Sequence, residues 1–185
     1  MGELEELIVK AGAGSAGLRK LRDLSDPMVL EVLNYWYAKR GDRRMPRPQD
    51  MDPVDFARHM PNLMMIQVDY EPFALTYRLI GEEVAQVHGA NYRGRSVLEV
   101  DNVRSNLGSL LHELYKAVAM LGRPVGVGGG MEFVGRGHMV FEAAYMPLSF
   151  DGERTDRIFT ATSYKPLSVA QRFSIESAGP GTLTV

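Results

Sequence analysis

The sequence predicts an α+β domain: a five-stranded antiparallel sheet with helices across one face and an N-terminal helix. Three observations predict it. Apolar residues recur at helical spacing over 27–40 and again over about 103–121. Two stretches between those helices, 63–69 and 75–80, alternate with the period of two that marks a strand. Three further strand-like stretches follow the longer helix in direct succession, broken by "GRG" at 135–137 and "DG" at 151–152.

The first helix has a start signal in Ser25-Asp26-Pro27, where the Asp26 carboxylate can accept from free backbone N–H groups and Pro27 occupies the first helical position. Val29, Leu30, Leu33, Trp36 and Tyr37 recur along it, and Gly41 can close it. A proline-punctuated connector leads to a second start at Asp52-Pro53, with Asp55 placed to complete the cap and Pro61 limiting the helix to a short one. Met64, Ile66 and Val68 then alternate with Met65, Gln67 and Asp69; after Glu71-Pro72, Leu75, Tyr77 and Leu79 alternate with Thr76, Arg78 and Ile80. The pair reads as a hairpin.

Residues 82–95 are short-helical, punctuated by Gly81, Gly89 and Gly94; the long helix carries Leu107, Leu110, Leu111, Leu114, Val118 and Leu121 on one face, and Gly122 ends it. The meander spans 124–134, 138–150 and 154–166, with three consecutive glycines at 128–130 that weaken the first strand's signature. In the second, Met139, Phe141, Ala143 and Tyr145 share one face and His138, Val140, Glu142 and Ala144 the other. Both are largely apolar, so the outer face should be covered too, by the Trp36 helix or by a second subunit. The chain divides into a lead-in at 1–24, one domain at 25–166 and a tail at 167–185.

The order of elements resembles the PAS sensor fold, in which a hairpin and a three-strand meander flank a helical segment. Trp36, "MPRPQDMDP" at 45–53, "LTYRLIGEEV" at 75–84 and "GANYRGRSVLEV" at 89–100 are similar to the pattern of a bacterial family of short, stand-alone PAS-like proteins. The likeness covers about residues 28–165. It implies a sensor or interaction module that holds a small ligand, haem or flavin between sheet and helices, or holds nothing and acts through dimerisation and a partner such as a sensor kinase.

The 185 residues are 45% hydrophobic, enough for one core, and 21 Lys+Arg against 23 Asp+Glu give no broad basic footprint for nucleic acid. The absence of cysteine removes disulfides, thiolate nucleophiles and the photoadduct of light-sensing PAS proteins, and fits a cytoplasmic setting. No apolar run approaches the roughly 20 residues of a membrane span.

Gly12, Gly14 and Gly17 spell a dinucleotide-loop pattern, yet the next feature is a helix cap where a parallel βαβ unit needs a strand. A small-residue lead-in that can be trimmed is the better reading. His112-Glu113 lacks the second histidine of a zinc-protease helix, position 116 being Lys, and His112 falls on the polar face. His59 and His138 should face water. His88 shares an apolar face with Val84 and Val87: it is either a core histidine bonded to backbone, the simpler reading, or a ligand contact. Arg78 reads as a surface or ion-paired strand position, and the strand methionines as core filling or an adaptable lining.

The candidate ligand-binding residues are Met64, Ile66, Tyr77, His88, Tyr92, Met131, Phe141 and Tyr145, with no catalytic residue and no metal ligand. A one-residue register error would turn the strand members to the other face. The leading reading is a non-enzymatic, homodimeric, cytoplasmic sensory module for a small apolar or amphipathic molecule or a signalling partner. Two rivals remain. A cone-shaped isomerase or hydrolase would need a carboxylate beside His88 or Tyr92; a ligand-free interaction module would have a filled interior.

Overall fold

The computed structural model describes residues 16–103 and 106–168. Helix α1 (Pro27–Arg40) starts as its sequence dictates: the Asp26 carboxylate accepts from the Met28 and Val29 amides at 3.0 and 3.1 Å, and Gly41 closes the far end at φ 56°. Asp52 accepts from the Val54 amide at 2.9 Å and opens a 3-10 run over Pro53–Asn62. Asp55, expected in that cap, instead accepts from the Tyr35 hydroxyl at 2.6 Å and ties the run to α1.

Strands β2 (Leu63–Tyr70) and β3 (Phe73–Ile80) form the hairpin, followed by α2 (Glu82–His88), a 3-10 segment Val97–Asn102 and α3 (Leu107–Leu121). The long helix was expected from about 103, and its later start has a local cause. Ser96 and Glu99 cap the 3-10 turn reciprocally, while the Asp101 carboxylate accepts from the Gly108 and Ser109 amides at 2.6 and 3.1 Å, satisfying the first turn of α3 from outside it. The meander is β4 (Val125–Met131), β5 (Arg136–Leu148) and β6 (Arg157–Pro166).

The expected five strands are corrected to six. Gly17–Arg19 forms a short strand, β1, on the far side of β4, giving the order β1-β4-β5-β6-β2-β3 with every pairing antiparallel. The glycines of β4 let its two neighbours, β1 and β5, come close. A Cβ on Gly126 would lie 3.0 Å from the Arg19 carbonyl oxygen, and one on Gly128 3.0 Å from that of Phe141. Gly17 therefore serves a sheet edge; Gly12 and Gly14 lie outside the described residues, as does the tail from 169.

Each face of the sheet buries a separate core. On the inner face Met64, Ile66, Leu75, Tyr77, Ala143, Tyr145 and Ile158 pack with α2, α3 and the 3-10 segment between them. On the outer face Leu63, Ala144, Met146, Leu148, Phe159 and Ala161 pack against Val29, Val32, Leu33 and Trp36 of α1 and against Phe56. Of the two covers expected for this face, the Trp36 helix is the one found. Its indole N–H donates to the Pro147 carbonyl at 2.9 Å.

One alternation fails. Met65 pairs with Leu79 and Ile66 with Tyr77, leaving Arg78 as the extra residue of a bulge. Beyond it the faces exchange: Leu79 packs on the outer core and Ile80 on the inner one, whereas a regular strand would keep Leu79 with Leu75 and Tyr77. Arg78 itself is exposed.

Candidate functional site

Between the inner sheet face and the helices lies a cavity of about 60 Å³. The sheet supplies Met64 from β2, Val127 and Met131 from β4, Phe141 and Tyr145 from β5, and Thr162 and Tyr164 from β6. Helix α2 supplies Val87 and His88, and α3 its leucines 107, 110, 111 and 114. Phe133 and the pair Ala16-Gly17, leading into β1, complete the lining. The wall contains no Asp, Glu, Lys or Arg among the described residues.

Five of the eight candidate residues, Met64, His88, Met131, Phe141 and Tyr145, line this cavity. Ile66, Tyr77 and Tyr92 are buried in the same core behind the wall. Strand alternation brings the right faces together because the extra residue of the bulge is on β3, leaving Met64 and Ile66 in step on β2, and Phe141 and Tyr145 sit on a regular stretch of β5. Sequence reasoning omitted Thr162 and Tyr164, although both lie at alternate positions of β6, and the α3 leucines, whose stripe was legible as a core face. Ala16 and Gly17 had no signal, because nothing in a three-residue strand announces its pairing.

His88 sits at the last turn of α2 with 4% of its surface exposed, and its Nδ1 lies 3.3 Å from the Tyr77 hydroxyl. The backbone partner expected of a core histidine is replaced by this side chain. Burial pushes the imidazole pKa down to about 4, so the ring is neutral at pH 7. Burial raises the hydroxyls of Tyr77, Tyr115, Tyr145 and Tyr164. The Tyr115 hydroxyl approaches Met64 Sδ at 3.6 Å. The site is thus uncharged, aromatic and sulfur-lined, with a few hydroxyls and one neutral imidazole as its polar groups.

Two histidines differ from expectation. His112 is half-buried, standing edge-on to Phe73 with ring centroids 5.8 Å apart, and His59 is half-buried beside Glu31 at 3.2 Å. Neither lines the cavity. His138 is exposed, as expected.

Small-molecule sites usually enclose about 300–1,000 Å³. A cavity of about 60 Å³ admits neither a haem macrocycle nor a flavin ring system in this conformation, so the residues present do not fit either group. Among the described residues, no cluster of three His, Asp or Glu could hold a metal ion.

Helices flanked by a hairpin and a meander, over an antiparallel sheet with a pocket on its inner face, are the architecture of one sensor fold, and sequence comparison agrees with it. A sequence model of the PAS domain family matches residues 25–162. The chain belongs to the PAS domain family. No curated protein and no solved structure matches it. The β1 strand lies before the matched segment, so the PAS core here is extended at the edge that lines its own pocket. PAS domains are sensory and signalling modules, and this chain falls in that class. Among the described residues no helix is long and apolar enough to cross a membrane.

Proposed function

We infer that this PAS domain is a non-enzymatic sensor that takes a small molecule into the inner cavity and transmits its occupancy to a separate signalling protein, such as a sensor kinase. The observation that carries the reading is the cavity itself, with no charged side chain in its lining among the described residues: native interiors are close-packed, and a void costs stability unless something fills it. The rival readings have less support. No carboxylate hydrogen-bonds His88 or Tyr92 among the described residues, which leaves an isomerase or hydrolase without its base. A pure interaction module would have a filled interior. Cytoplasmic placement and a homodimer complete the proposal, on the grounds of composition and of family.

Native mass spectrometry of the purified full chain tests it. A mass adduct released on unfolding, together with a dimer, is the expected result. An empty monomer whose core methyl signals do not respond to pressurised xenon would overturn it.

A further inference from the structure

The inner face of β6 presents Ile158, Thr160, Thr162 and Tyr164 in alternation, and two of these four carry a defect. The hydroxyls of Thr160 and Thr162 are buried and without a hydrogen-bond partner. Thr162 is 3% exposed, and its backbone carbonyl is satisfied by the Asn62 amide at 3.1 Å. Each threonine lies near a tyrosine hydroxyl and works against the burial that raises it, Thr162 at Tyr164 and Thr160 at Tyr115, but in neither case does the geometry reach a hydrogen bond. The two threonines differ in one respect: Thr162 lines the cavity and Thr160 does not.

Valine would match threonine in shape at both places and remove the unpaired group. Thr162, its hydroxyl buried, stands in the wall of a space that an occupant can fill, among leucine, valine, methionine and phenylalanine side chains that offer only apolar contact. A charged occupant would be stripped of water with no counter-charge in the wall. A cavity of about 60 Å³ holds roughly four to six non-hydrogen atoms, at about 10–15 Å³ for each water-sized probe.

We propose that the occupant of this cavity is a single small neutral molecule, apolar over most of its surface, with one oxygen that hydrogen-bonds the Thr162 hydroxyl. The proposal rests on the reading of the cavity as a ligand site and adds the ligand's class and the residue that selects it. Met64 and Met131, unbranched and adaptable, let the apolar part vary while Thr162 fixes the polar end.

The test titrates the full chain with butan-1-ol, pentane and butyrate, followed by the methyl signals of Leu111, Leu114, Val127 and Met131. Butan-1-ol and pentane should both enter, and butyrate should not. Thr162→Val should weaken butan-1-ol about tenfold while pentane binds as well or better; Thr162→Ser and Thr160→Val should leave butan-1-ol unchanged. Thr162→Ala deletes the same hydroxyl and gives the same comparison should the valine variant fail to fold. Equal loss of both probes on removing the hydroxyl, no loss of either, or butyrate binding as well as butan-1-ol would overturn the proposal while leaving a ligand site in place. Failure of every probe to move these methyls would overturn the ligand site itself, and a lone water on Thr162 that no probe displaces would do the same.

Discussion

Replacing His88 by asparagine isolates the one buried titratable group whose charge is ordinarily decided near neutral pH. The asparagine oxygen sits at the branch where Nδ1 meets the Tyr77 hydroxyl, so a polar partner is kept while the titration is removed. In the folded protein the imidazole is held at about 4, against 6.5 for an ordinary histidine. The unfolded chain therefore takes up a proton that the native state refuses, and stability is lost as pH falls from 6.5 towards 4. Linkage over that interval amounts to roughly 1 kcal/mol at pH 5.5 and about 2 to 3 kcal/mol at pH 4.5. Carboxylates add their own acid sensitivity, but it is common to both proteins and cancels in the difference. At pH 7.5 the variant should be the weaker by about 1–2 kcal/mol, from the lost ring packing. Urea unfolding followed by the fluorescence of Trp36, the single tryptophan, should show that deficit vanish or reverse by pH 4.5. Parallel pH profiles for the two proteins would refute the reasoning, and so would an imidazole titration near 6.5 by NMR.

Three other substitutions probe different parts of the frame. Gly81→Ala would place a Cβ 2.2 Å from the Pro61 carbonyl oxygen and 2.3 Å from that of Met60, both backbone, so it should cost about 3 kcal/mol or more, measured by denaturant titration. Trp36→Phe loses the bond to the Pro147 carbonyl and part of the outer core; a loss of about 2–3 kcal/mol should lower Tm by about 5–10 °C in a circular-dichroism melt. Asp26 is buried, which alone would raise its pKa, but Lys165, the Ser163 hydroxyl at 2.7 Å and the Val29 amide outweigh burial and hold it below 3.8. Asp26→Ala should therefore cost about 2–4 kcal/mol at pH 7, and the gap to the unmodified protein should close as pH falls below about 3.8, where the carboxylate's contribution is lost.

The parts of the fold that sequence exposes are those whose cause is local. Asp26-Pro27, Gly41, Asp52-Pro53, Gly89 and Gly122 each mark an end of an element, because a cap or a positive φ is decided by the residue that stands there. The inner and outer faces of β5 follow from period-two alternation alone. Legibility stops where the cause lies elsewhere in the chain. Asp101 satisfies the first turn of α3 from several residues away, so the helix starts later than its leucine pattern suggests. Arg78 bulges because β2 meets β3 one residue out of step, and that mismatch belongs to the pairing rather than to either strand.

The same division explains the site. Met64, His88, Met131, Phe141 and Tyr145 are visible as apolar or aromatic side chains at positions that alternation and the helical period point inward. Thr162 is polar and β-branched, which in a strand reads as ordinary packing. Its interest lies in having no partner, and partners are supplied by the fold: its counterpart on the outer face, Ser163, spends its hydroxyl on Asp26. Two adjacent small hydroxyl residues of one strand thus end in opposite conditions, one binding a helix to the sheet and the other left unspent in a cavity wall. Gly17 is the complementary case. It has no side chain to read, yet with Ala16 it lines the cavity, because Gly126 of β4 lets β1 approach that edge of the sheet.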